Sequence, residues 1–199
     1  MMHIEVRADG ARLSGYVNVT EKKSRPVITP RGKVVEEIEP RAFEGAISRA
    51  GNISVTVDHD STHVYASTDD GTLTLKEDAI GLHADVLIKD KDLVELAKKG
   101  KIRGWSFGMY NVKDTMEERA DALPIRHIQA LDLDHLTLVV KKCPIYSATS
   151  VELRADGDVE VETRASLEEP TITGAGEPKP AFDNSEFRSC LLYTSPSPR

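Results

Sequence analysis

The chain has 199 residues, long enough for one domain with a real apolar core, and 39% hydrophobic against 30% charged content fits a soluble globular protein. No run approaches the ~18 apolar residues of a membrane span, and no signal-type apolar segment follows Met1, so an intracellular protein is expected. The net charge of −7 belongs mostly to the tail, where residues 155–199 carry four Lys/Arg against nine Asp/Glu; the nearly neutral body, with few aromatics, argues against a nucleic-acid binder.

Residues 2–7 and 12–20 read as two extended runs around an Asp9-Gly10 turn, a common hairpin signal. Short β-type runs at Val27-Ile28 and Val34-Val35 flank Pro30-Arg31-Gly32. Pro40 is placed to open a helix, where its missing N–H is harmless. Phe43, Ala46, Ile47 and Ala50 then share one face, and Gly51 is the expected stop. Ile53, Val55 and Val57 alternate with polar residues, which predicts a half-buried strand running into the polar loop Asp58-His59-Asp60-Ser61-Thr62-His63. A strand over 63–68 and the alternating Leu73 and Leu75 are predicted to form a hairpin across Asp69-Asp70-Gly71, with glycine where a positive φ is wanted. Leu82, Ala84, Val86 and Ile88 give a further strand.

A helix over 92–99 follows, capped by Asp90 or Asp92; Asp92 with Glu95 has capping-box spacing. Leu93, Leu96 and Ala97 form its apolar face, Lys98-Lys99 suit its C-terminal dipole and Gly100 ends it. The strand predicted over 102–112 carries Ser106, and the charged residues 114–122 read as a loop. Ile125 to Leu133 and His135 to Val140 are extended, with a bulge or kink expected near Asp134, and Val151-Glu152-Leu153 is a last strand. Seven or eight short strands and two helices, in an order that does not alternate β with α, predict a β-rich α+β barrel or sandwich flanked by helices.

The domain is expected to span 1–154. Residues 155–184 are acidic, rich in Thr, Gly and Pro and too poor in apolar residues to pack, which predicts a flexible tail. Residues 185–199 read as translated vector or adapter sequence, since Glu186-Phe187 is what a common cloning site encodes, so the native C-terminus is expected to be missing. Cys190 falls there, and Cys143 with it makes no metal-type spacing and no disulfide framework.

Three groups of residues could carry chemistry. Gly104-Trp105-Ser106-Phe107-Gly108 has the five-residue pattern of a nucleophile elbow, but that elbow needs a strand before the serine and a helix after it. Here a helix comes before and a β-type run after, so an α/β-hydrolase is set aside. In the second group, His59 and His63 stand four apart at a strand end and lack an evident third metal ligand, and His63 occupies the position where a calcium loop needs glycine. The loop is then either a plain polar turn or the carrier of a general base, a role suited to imidazole near neutrality. In the third, His135 stands inside the apolar-alternating run Leu131 to Val139, where a lone histidine is more often a hydrogen-bonded core residue.

Taken together the chain resembles the tailed-phage prohead (head maturation) protease family, whose fold is related to herpesvirus assemblin. The resemblance covers about residues 12–154. It rests on Gly15-Tyr16-Val17-Asn18-Val19, Glu37-Ile38-Glu39-Pro40-Arg41-Ala42-Phe43, Val57-Asp58-His59-Asp60, Gly71-Thr72-Leu73-Thr74-Leu75 and Gly81-Leu82. Downstream it rests on Gly100-Lys101-Ile102-Arg103-Gly104-Trp105-Ser106-Phe107-Gly108 and Pro144-Ile145-Tyr146-Ser147-Ala148-Thr149.

The resemblance implies an assemblin-like β-barrel flanked by helices and a serine endopeptidase with Ser106 as nucleophile, His59 as base and His135 as third member. Relatives often carry an acidic residue at the third place and assemblins a histidine; Asp134 is the alternative here, and the segment 140–144 looks about two residues longer than usual. Backbone N–H groups are expected to form the oxyanion hole, with Arg126 or Lys141 as weaker candidates. No cofactor and no metal are implied. The partners implied are the phage major capsid protein and its scaffold, with no nucleic acid and no membrane; a homodimer is an analogy to the assemblins. The place of action implied is the procapsid in the host cytoplasm, the gene being phage- or prophage-borne. Cleavage of the scaffold is usually accompanied by self-cleavage, for which 155–184 could hold a site. The competing readings are a non-catalytic scaffold-binding or assembly domain on the same barrel and a metal-dependent hydrolase centred on His59 and His63.

Overall fold

The computed structural model describes residues 2–141 and the strands at 151–152, 161–167 and 171–173. In chain order the elements are β1 (His3–Arg7), β2 (Gly10–Val19), β3 (Val27–Thr29), β4 (Gly32–Ile38), α1 (Ala42–Arg49), β5 (Ser54–Val57), β6 (Ala66–Ser67), β7 (Leu73–Glu77), β8 (Gly81–Ile88), α2 (Lys91–Lys98), β9 (Gly104–Glu117), β10 (Ile125–Val139), β11 (Val151–Glu152), β12 (Val161–Leu167) and β13 (Thr171–Thr173). The chain therefore adopts the β-rich α+β class, with more strands than the sequence pattern resolves.

The strands form two sheets. One has the order β13-β1-β2-β8-β7; the other runs β11-β12-β9-β10-β4-β3, with β5 and β6 attached beside β10. The sheets are joined at one corner, where the Glu21 and Ser24 N–H groups donate to the Ile38 and Glu36 carbonyls at 2.8 and 2.7 Å. In the first sheet β1 and β2 form the expected hairpin around the Asp9-Gly10 turn, with Arg7 opposite Gly10. At the two ends of the β2–β8 ladder the backbones come so close that only glycine fits. A Cβ on Gly10 would lie 2.2 Å from the Ile88 carbonyl oxygen, and one on Gly81 2.2 Å from that of Asn18.

The second sheet carries the long pair β9 and β10. One edge of β10 is shared by two short parallel strands: β4 pairs with Ile125–Ile128, and β5 with His135–Leu138. Antiparallel β9 lines the other edge. The expected break near Asp134 is real: the register shifts between Leu133 and His135. That shift moves the buried apolar positions from Leu131 and Leu133 to Leu136 and Leu138, and it turns His135 and Thr137 to the opposite face. The core between the sheets is closed by Trp105, Phe107 and Met109 from β9 and by Phe43 from α1, whose ring meets Phe107 edge-on at 5.5 Å.

Several expectations are corrected. Residues 114–117 are strand, not loop. Of the strand expected over 63–68 only Ala66–Ser67 forms, and it pairs with β5 while β7 pairs with β8, so the two arms around Gly71 belong to different sheets. Gly71 does take the expected positive φ, 72°. Pro40 lies outside α1: Arg41 is the N-cap at φ 72° with no capping side chain. The Glu77 carboxylate supplies the cap from β7, accepting the Arg41 and Glu44 N–H groups at 2.8 and 2.6 Å. At the other end Ala50 turns extended at ψ 132° and stops the helix before Gly51. In α2 the cap is Asp90, whose side chain accepts from the Leu93 N–H at 2.8 Å, and Gly100 follows at φ 65°.

Two strands lie within the 155–184 stretch expected to be flexible: β12 pairs with β9 and β13 runs parallel to β1. The expected vector segment 185–199, Leu153 and the Pro144–Thr149 motif are outside the described residues.

Candidate active site

Ser106 stands on β9 between two glycines, and residues two apart share a face of a strand. Gly104, Ser106 and Gly108 therefore present one face on which the serine alone has a side chain, while Trp105, Phe107 and Met109 face the core. Across the ladder Thr137 is paired with Ser106 and His135 with Gly108.

His59 arrives from the other edge of β10. The residues Val57-Asp58-His59-Asp60 form a tight turn, closed by the Asp60 N–H on the Val57 carbonyl at 2.9 Å. Both central residues are left-handed, Asp58 at φ 50° and His59 at φ 61°, a conformation that Asp and His tolerate better than most side chains. The strain is held by bonds to the end of β10. The Asp58 N–H donates to the Leu138 carbonyl at 3.0 Å, and the Asp58 carboxylate accepts the Val140 and Lys141 N–H groups at 2.9 and 3.0 Å. The His59 N–H donates to Thr137 Oγ1 at 3.0 Å. These contacts aim the imidazole back over β10 towards β9.

The result is a chain of polar atoms across three neighbouring strands. His59 Nε2 lies 2.8 Å from Ser106 Oγ, and His59 Nδ1 lies 2.8 Å from His135 Nε2. The two rings meet edge-on at an interplanar angle of 79°. Behind them, His135 Nδ1 is 2.5 Å from the Asp134 carboxylate. Ser106, His59 and His135 are all buried.

All three residues singled out from the sequence thus meet. Asp134, the alternative third member, sits behind His135, since both His59 ring nitrogens are taken by His135 and Ser106. The His63 ring packs against that of Tyr65 at 4.3 Å, tilted by 56°, and no group of three or more metal-type side chains is found among the described residues. Arg126 is corrected as an oxyanion candidate: it lies at the other end of β10, held by Glu36 and Asp114. Lys141 offers its backbone N–H to Asp58, so that donor is spent on the turn. Thr137 and the Asp58 carboxylate were not singled out from the sequence. Thr137 had a signal, its place two residues after His135 on one strand face.

A hydroxyl within proton-transfer reach of an imidazole, with a third group holding that imidazole, is an arrangement able to support nucleophilic catalysis by serine. A family model described as caudovirus prohead serine protease matches residues 2–163, and the chain belongs to that family. No curated protein and no solved structure matches the chain.

Proposed function

We propose that this serine protease works through Ser106 as nucleophile, His59 as general base and His135 as the residue that orients the base. The observation that carries the reading is the unbroken pair of 2.8 Å contacts from Ser106 through His59 to His135. Ser106 Oγ attacks the scissile carbonyl carbon as its proton passes to His59 Nε2. Collapse of the tetrahedral intermediate returns that proton to the leaving amine and leaves an acyl-serine. Water, activated by the same imidazole, then releases the acid product. A histidine in third place orients the base but brings less charge stabilisation than a carboxylate, which suits an enzyme that acts once inside an assembling shell.

Within capsid maturation the substrate proposed is the scaffold, or the scaffolding segment of the major capsid protein, cut inside the procapsid in the host cytoplasm, with self-cleavage alongside. Co-expression with the cognate capsid protein, read on a gel, tests this. Ser106→Ala is expected to lower processing about 10⁴–10⁶-fold. Equal processing by variant and wild type would sink the reading.

A further inference from the structure

In an uninterrupted strand Asp134 and His135 would project to opposite faces of the sheet, and their side chains could not meet. The bulge removes that restriction. Leu133 pairs with Met109 and His135 with Gly108, the residue directly before it on the partner strand, so Asp134 is the extra residue. Its Oδ2 lies 2.5 Å from His135 Nδ1, with the Asp134 side chain 38% exposed against 8% for His135. The carboxylate thus stands at the outer edge of the buried chain of rings.

We propose that Asp134, placed by this bulge, is a positioning residue for the reaction: it fixes the tautomer of His135 and supplies the negative charge that an imidazole in third place lacks. The proposal rests on the reading of Ser106 as nucleophile and His59 as base. Its logic is one of donors and acceptors. An ionised carboxylate only accepts, so the contact puts the His135 proton on Nδ1. His135 Nε2 is then the acceptor, which makes His59 Nδ1 the donor and leaves a lone pair on His59 Nε2 facing the Ser106 hydroxyl. The opposite tautomer of His135 would present an N–H to His59 Nδ1, drive the His59 proton onto Nε2 and leave nothing to take the serine proton. When His59 receives that proton it keeps both, and the new positive charge is met through His135 by the carboxylate. Asp134 touches neither substrate nor the reacting atoms; it acts through His135.

The test uses the full chain and a fluorophosphonate that labels activated serines, followed by mass spectrometry at Ser106. Asp134→Ala is expected to lower the maximal labelling rate about 10–100-fold at an unchanged half-saturating probe concentration, and Asp134→Asn, which keeps the volume but not the charge, to fall between it and wild type. Asp134→Glu should recover most of the rate. On a His135→Ala background the same Asp134→Ala change should have almost no further effect, because the ring it acts through is gone. Wild-type labelling by Asp134→Ala and Asp134→Asn would overturn the proposal. So would an equal fold-loss with and without His135, since that is the behaviour of a residue needed only for the fold. Whole-protein probe incorporation that persists at the wild-type rate in Ser106→Ala would overturn the underlying nucleophile assignment instead, so the two failures are told apart.

Discussion

The two ends of the β9–β10 ladder both bury polar side chains, and they hold them by opposite means. Near the start of β10, Arg126 binds Glu36 on β4 at 2.9 Å and Asp114 on β9, and Arg31 joins Asp114 from outside. Nine residues on, roughly 25–30 Å along the strand by its rise per residue, Asp134, His135, His59 and Ser106 form the other cluster. The first is built from full opposite charges that neutralise one another and have nowhere to send a proton. The second is built from rings and a hydroxyl that share protons along a line with a direction. The same pair of strands thus carries an ion-pair lock at one end and the proposed catalytic group at the other. Burial alone does not distinguish them; the chemistry of the donors and acceptors does.

The comparison is broken most sharply by removing the base. His59→Ala should lower Ser106 labelling about 10⁴–10⁶-fold, and combining it with Ser106→Ala should lower capsid-protein processing little further, because such groups act as a unit. The urea-unfolding midpoint should change far less than the rate. If His59→Ala labels Ser106 at the wild-type rate, the second cluster is only another structural one.

At the lock, the expected pattern is reversed. Arg126→Met leaves the buried Glu36 without its cation and the half-buried Asp114 with Arg31 alone, and should lower stability by about 3–5 kcal/mol in urea unfolding. Labelling per folded molecule should stay near wild type. Replacing Arg126, Glu36 and Asp114 together by apolar residues of similar volume should recover most of the lost stability, since the desolvation of three charges is then removed with their attraction. A selective loss of labelling in Arg126→Met at full stability would make this cluster part of the site.

The two clusters also differ in how far the sequence discloses them. Ser106 and His135 are legible because reactive residue types stand at strand positions where apolar or small residues are the rule, His59 because it lies in a polar loop at a strand end, and all three because the order His, Ser, His matches a family. The bulge at Asp134 is legible because the apolar alternation changes phase there, from Leu131 and Leu133 to Leu136 and Leu138. The lock is not legible. Lys113 to Glu117 alternates exposed and half-buried residues as a strand should, but Asp114 occupies an inward position and makes the segment read as loop. Only the pairing of β9 with β10 brings Arg126 to Asp114, and no local pattern carries that information. The same holds for α1, whose cap comes from Glu77, 33 residues beyond the N–H of Glu44 that it receives.

Acid sharpens the contrast further. Burial alone would push the Asp114 carboxyl up, but the hydrogen bonds and charges of Arg31 and Arg126 outweigh it and hold Asp114 below the ordinary carboxylate range. A group lowered on folding contributes stability that is complete above its unfolded value, about 3.9 for aspartate, and is lost as pH falls through the folded value. Asp114→Asn should therefore lower the melting temperature at pH 7, and its melting temperature should converge on that of the wild type as pH falls below about 4. A constant gap down to strongly acid pH would mean that the charge of Asp114 is not what stabilises this end.

The smallest expected effect lies at the reactive end and concerns a group that holds no proton in the relay. Thr137 Oγ1 accepts the His59 N–H at 3.0 Å, and Thr137 itself is fully buried. His59 sits at φ 61°, a left-handed conformation that a side chain leaves readily unless its backbone is tied down. Thr137→Val keeps the shape and removes the acceptor, which should cost about 1–3 kcal/mol through the unpaired buried N–H. Because the turn then loses one of its ties to β10, the imidazole is no longer held at 2.8 Å from both Ser106 and His135, and labelling should fall several-fold with the stability. Thr137→Ser retains the hydroxyl and should restore the labelling rate even if the lost methyl leaves stability partly reduced. That separation assigns the hydroxyl to aiming the base. Equal labelling by the valine and serine variants would leave Thr137 as packing alone, and the direction of His59 would then rest on Asp58 and the two rings.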